Sequence, residues 1–195
     1  MIDRRTSIRL CLGLLALPAI SSVANAAPER YQLDTARSKV AFFYKLNGAD
    51  MVGAMPVASA RLSLDLETLG ASDVEVELDA QGAQAGAFFA TEAMRSPSVL
   101  DTARHPRIIF QSTRITGNLQ SATMTGELTL RGVTRPIRLA AQLGRAPGTD
   151  LTQRDDLIVL LEGSLSRSAF GATGYAGMVG DQIGIRISAR VLRGP

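Results

Sequence analysis

The sequence predicts an all-β protein: one antiparallel domain of about eight to ten short strands with a short helix near one end, closed as a barrel or packed as a sandwich. Three observations carry this expectation. Apolar residues alternate with polar ones at a period of two through most of the chain. Turn residues recur at short intervals between the alternating runs. No long helical period and no internal repeat occurs.

Each run reads as a strand half-buried on one face. "KVAFFYKL" puts Val40, Phe42, Tyr44 and Leu46 together, and Asn47-Gly48 turns the chain after it. "RLSLDL" aligns Leu62, Leu64 and Leu66 before a turn at Leu69-Gly70. "DVEVELD" sets Val74, Val76 and Leu78 against four outward carboxylates, Asp73, Glu75, Glu77 and Asp79. "RIIFQS" contributes Ile108 and Phe110, with a turn further on at Gly117-Asn118. "GELTLRGVTRPIRL" forms a hairpin about Arg131-Gly132, with Leu128, Leu130, Ile137 and Leu139 on one face and Glu127, Thr129, Arg131 and Arg138 on the other. Turn signals follow at Pro147-Gly148 and across Gly171 to Gly180, and "QIGIRISARV" closes the series with Ile183, Ile185, Ile187, Ala189 and Val191. Only Gly82 to Asp101 breaks the rhythm. A short helix is expected near Thr91 to Ser96, ended by Pro97, with Phe88, Phe89, Met94, Val99 and Leu100 packing it over one barrel end as a lid or as a plug.

Residues 1–26 read as a cleaved export signal. Arg4, Arg5 and Arg9 start it, Leu10 to Ile20 is an apolar run too short to span a bilayer, and Ala24-Asn25-Ala26 is a small-x-small cleavage site. Arg4-Arg5 hints at twin-arginine export, but Thr6-Ser7 continues it poorly, so an ordinary secretory signal is the expectation. The domain then runs from 27 to 195, and losing Arg4, Arg5, Arg9 and Asp3 lowers the net charge from +3 to +1. Nucleic acid is therefore not an expected partner. Cys11 leaves with the signal, so no disulfide, thiolate nucleophile or haem-attachment motif remains, and the core and strand ladders alone must hold the fold.

Catalytic and metal-binding signals are scarce. His105 is the one imidazole, and no nucleophile-elbow pattern accompanies it. A triad on His105 would have to recruit Ser96, Ser98 or Asp101. No metal site of the His/Cys type can be assembled, and Asp155-Asp156 reads as a turn at a strand entry. The glycines from Gly171 to Gly177 precede a strand, which is the wrong context for a phosphate cradle. The exported chain holds 16 Arg against two Lys, mostly outward strand positions. Arg131 and Arg135 at the hairpin are the candidates for a polar rim, because guanidinium groups grip anions bidentately.

Several stretches together resemble the YceI-like family of exported bacterial proteins. They are "LDTARSKVAF", "HPRIIFQST", the Gly126 to Pro136 segment of the hairpin, and "SRSAFG" followed by Gly180-Asp181 and Ile183. Two places depart from the family pattern: Arg37 stands before Ser38 where histidine is common, and Ala93-Met94-Arg95-Ser96 replaces a more polar segment. The resemblance implies a lipocalin-like antiparallel barrel in the periplasm. Its apolar interior would bind a polyisoprenoid, either a polyprenyl phosphate or a prenylated quinone, with no catalytic residue, no metal and no cofactor beyond that ligand. Alternation and resemblance together nominate Phe42, Tyr44, Leu62, Val76, Phe88, Ile108, Phe110, Leu128, Ile137 and Ile185 as the ligand-binding wall. The expected partner is the isoprenoid lipid, with transient membrane contact and a dimer both compatible with the chain. Competing readings are a packed interaction module without ligand and a lipid hydrolase using His105.

Overall fold

The computed structural model describes residues 28–144 and 154–194. The export-signal reading of residues 1–26 and the Pro147-Gly148 turn lie outside them. Ten strands form the fold: β1 Glu29–Leu33, β2 Lys39–Leu46, β3 Ala49–Ala54, β4 Val57–Leu64, β5 Asp73–Asp79, β6 Arg107–Gly117, β7 Ala122–Leu130, β8 Val133–Gly144, β9 Asp156–Ser166 and β10 Gln182–Arg193. One helix, α1, spans Phe88–Arg95.

Eight strands close into an antiparallel ring in the order β1-β4-β5-β6-β7-β8-β9-β10, and β10 pairs back to β1. The barrel alternative was the right one. Closure follows from the length of β10. One edge pairs with β9 along eleven positions. The other edge takes Tyr31 to Leu33 opposite Val191 to Arg193, and further back takes β2 from Lys39 to Phe43. The β2–β3 hairpin thus extends the wall beyond the ring on the same edge that β1 seals. Its two-residue turn has Asn47 and Gly48 both at positive φ, 50° and 83°, which matches the right-handed strand twist.

Bulges between Val57 and Ser59 and between Ser112 and Arg114 shift the parity of β4 and β6. After the second bulge Ile115 is buried, although it has the opposite parity to Ile108 and Phe110. The outer face carries ion pairs such as Arg107–Asp79 at 3.0 Å and Arg186–Glu162 at 2.8 Å. Arg186 also lies 5.2 Å above the Phe43 ring. These exposed pairs contribute little stability each and keep the barrel surface wet.

The two barrel ends differ. At one end Tyr31, Leu157 and Val191 form a compact cluster with Leu33, Leu62, Leu64 and Leu143, which floors the barrel. At the other end lie the β2–β3 and β7–β8 turns, α1, and a 3-10 turn at Ser168–Phe170. The β7–β8 turn places Arg131 and Gly132 at φ 55° and 74°, and a Cβ on Gly132 would stand 2.9 Å from the His105 ring. Gly132→Ala is therefore expected to cost about 1–2 kcal/mol. Urea denaturation checks this, and an unchanged midpoint would contradict it.

Candidate ligand cavity

A cavity of about 500 Å³ runs inside the ring, within the range of about 300–1,000 Å³ typical of ligand sites. Every strand of the closed ring contributes to its wall, and so do β2, α1 and the segment from Ala172 to Val179. Nine of the ten wall residues nominated from sequence face it: Phe42, Tyr44, Leu62, Val76, Ile108, Phe110, Leu128, Ile137 and Ile185. Their placement follows from the pleat, since alternate side chains of one strand share a face. Leu130 and Leu139 of the β7–β8 hairpin join them.

Phe88 is the exception, and the expectation for it needs correcting. Its side chain is 84% exposed and does not reach the cavity. The helix begins at Phe88, three residues earlier than expected, after an extended Ala87 that offers no side-chain cap. That early start turns Phe88 outward and sets its neighbour Phe89 on the cavity edge, 65% exposed. Phe89 therefore does not pack down on the barrel either, whereas Met94, Val99 and Leu100 do.

Arg131 and Arg135 are also placed differently from a rim. Arg131 donates from Nη1 to the Gly171 carbonyl and from Nη2 to the Pro97 carbonyl at 2.5 Å. Arg135 Nε donates to the Ala169 carbonyl at 2.6 Å. Both tie the Ser168–Phe170 turn to the hairpin, and neither lines the cavity.

Among the described residues the one charged side chain on the cavity wall is Arg167, which sequence reasoning missed. It is 7% exposed, and among the described residues no carboxylate lies within ion-pair distance of it. Its donors go to backbone carbonyls: Nε to Gly180 at 3.0 Å, Nη1 to Ala172 and to Gly174 (2.5 and 2.8 Å), and Nη2 to Val179 at 3.0 Å. One guanidinium thus folds the glycine-rich segment 172–180 around itself. Asp181 fastens its end by accepting the Ser168 amide at 2.9 Å, and the Ser166 and Ser168 hydroxyls hold its carboxyl below the usual carboxylate range. An arginine between two serines carries no sequence signal of such a role. The glycine run beside it was the available clue.

Two further polar side chains of the lining, Tyr44 and Ser38, are already satisfied. Tyr44 donates its hydroxyl to the Ala85 carbonyl at 2.6 Å, and burial pushes its phenol up. Ser38 Oγ accepts the Arg190 amide at 3.0 Å. The small residues of the wall do not all open space. A Cβ on Gly126 would meet the Phe110 ring at 2.5 Å, so that ring covers the glycine. Phe42 lies over Gly53 in the same way and stacks on Tyr44 at 6.0 Å. His105 rests against Gly132 and is not on the cavity wall. Among the described residues no side-chain hydrogen bond joins it to Ser96, Ser98 or Asp101, and Ser96 donates instead to the Ala93 carbonyl at 2.7 Å. Asp155 and Asp156 stand at the entry to β9, paired with Arg193 and Arg190.

The YceI-like domain family matches residues 31–191, from the floor tyrosine through the last wall strand. The chain belongs to the YceI-like family. This YceI-like chain is 24% identical over 135 residues to a UPF0312 protein of Pectobacterium carotovorum, covering 68% of this chain and 70% of the relative. Its fold is similar to the crystal structure of Burkholderia cenocepacia BcnA, with a TM-score of 0.71, 18% identity, and coverage of 82% and 99%. It is also similar to a structure described as a polyisoprenoid binding domain from Saccharophagus degradans, with a TM-score of 0.61, 13% identity, and coverage of 85% and 99%.

Proposed function

We propose that this YceI-like chain is an exported periplasmic protein that sequesters or carries a polyisoprenoid lipid, a polyprenyl phosphate or a prenylated quinone, and performs no chemistry on it. The observation that carries this reading is the cavity: nearly all apolar, walled by every strand of the ring, and floored at one end. Each methylene buried there contributes about 0.8 kcal/mol, so a repeating hydrocarbon tail gains affinity with length and needs no polar anchor. The name of the Saccharophagus neighbour agrees with this chemistry. Phe42, Tyr44, Leu62, Val76, Ile108, Phe110, Leu128, Ile137 and Ile185 are the wall such a tail would touch, and α1 stands over it as a lid.

Native mass spectrometry of protein gently purified from an exported fraction tests the reading. The expected spectrum shows the polypeptide plus several hundred daltons, released by organic solvent and identified as an isoprenoid. A bare polypeptide mass from cells that make the lipid would overturn it and favour a packed module. His105→Ala is expected to leave that bound mass unchanged.

A further inference from the structure

Seven large apolar side chains are strongly exposed among the described residues, and five of them belong to elements around the end opposite the floor. Phe88 and Phe89 are 84% and 65% exposed on the first turn of α1, and Tyr175 and Met178 are 46% and 48% exposed on the segment that Arg167 organises. Val52 of β3 is the fifth. Phe89, Tyr175 and Met178 are at once exposed and part of the cavity wall, so the cavity meets solvent between them. Hydrogen bonds make the surrounding elements continuous. The Gly174 amide donates to the Ser98 carbonyl at 2.8 Å, and the Asn47 amide to the Met178 carbonyl at 2.7 Å. Tyr175 has φ 57°, a left-handed conformation that a tyrosine rarely adopts.

Exposed aromatic residues collected around an apolar opening are poorly suited to water, and contiguous patches of this kind mark interaction surfaces. Charge around the patch is balanced. Lys45 pairs with Asp50 at 2.7 Å and Arg95 with Glu92 at 3.1 Å, so among the described residues these charges beside the patch neutralise one another and neither repel a lipid surface nor select an anionic one. We propose that this collar of Phe88, Phe89, Tyr175 and Met178 is the face by which the barrel docks on a lipid bilayer, with its opening turned toward the acyl layer. The proposal rests on the lipid-carrier reading. A long-tailed lipid cannot cross water alone, and apposition of this opening to the bilayer gives it an unbroken apolar path. A second copy seated on the collar would instead close the opening. Docking of this kind draws on buried apolar area rather than on charge, so it should persist at high salt and on zwitterionic lipid.

Flotation of the exported protein with phosphatidylcholine vesicles, with and without added phosphatidylglycerol, is the test, run beside sedimentation velocity and native mass spectrometry. The wild type is expected to float with both vesicle types. Phe88→Ser, at a side chain that does not reach the cavity, is expected to float less while keeping its melting temperature and its bound lipid mass. The double variant Phe88→Ser/Phe89→Ser is expected to float at least five-fold less while keeping its melting temperature. Tyr175→Asn with Met178→Ser, which keeps a residue tolerant of positive φ, provides a second disruption on the other side of the opening. A wild type that stays off vesicles overturns the docking face whatever mass it carries. Variants that float like the wild type do the same, because attachment then lies elsewhere. A dimer that becomes monomeric in either variant, without vesicle binding, reassigns the collar to a second copy. Flotation that depends on the collar in a protein carrying no lipid upholds docking and removes the carrier reading alone.

Discussion

Leu157→Ala is expected to destabilise the barrel by about 4 kcal/mol, whereas Leu128→Ala costs only about 2 kcal/mol. Both positions hold a buried leucine on a ring strand, so chemistry alone does not separate them. Surroundings do. Leu157 is 1% exposed and sits in the floor with Tyr31 and Val191, where its removal leaves a new void among well-packed neighbours. Leu128 already faces open volume on one side, so its side chain has fewer partners to lose. In a protein of this size the Leu157 loss corresponds to a melting temperature lower by roughly 10 °C, readable by calorimetry. Equal losses at the two positions would mean that the barrel interior is packed and that the cavity does not exist in solution.

Arg167→Met is expected to be the other severe change. Methionine keeps much of the apolar stem but strands the carbonyls of Ala172, Gly174, Val179 and Gly180, which Arg167 now satisfies. Each unpaired buried acceptor costs about 1–3 kcal/mol unless water reaches it. The segment is therefore expected to open locally, at a net loss of about 3 kcal/mol. Amide hydrogen exchange across 168–181 would rise well before global unfolding, and exchange in β7 and β8 would stay slow. Arg167→Lys should recover only part of the loss, because an ammonium is a point donor and cannot span four carbonyls arranged around a plane. Undiminished protection in the methionine variant would show that the glycine segment holds its shape without the guanidinium.

Much of the barrel was legible because one strand face is buried and the other is wet, and a period of two then follows directly. Val74, Val76 and Leu78 against Asp73, Glu75 and Glu77 needed no tertiary information. Ile115 was not legible, since a bulge beside Thr113 changes parity without a glycine or proline to announce it. Phe88 misled for a physical reason. Large aromatic residues are read as core, and the inference fails where a wall ends at an opening and the aromatic stays on the outside. Arg131, Arg135 and Arg167 could not be ranked by residue type, because the difference between them is which carbonyls they find. Two of them brace a turn from outside, and the third, from within, gathers four carbonyls by the opening.

The floor of Tyr31, Leu157 and Val191 has a consequence for the order of events. A tube with a single door cannot work as a conduit, so whatever enters first must leave last. A threaded hydrocarbon would be stored tail inward with its head waiting at the threshold, ready to be inspected or taken up by the next acceptor. Delivery then becomes a withdrawal through the same door. A tail longer than the tube would leave its remainder outside, so the depth of the floor sets how much of a guest this barrel can hide.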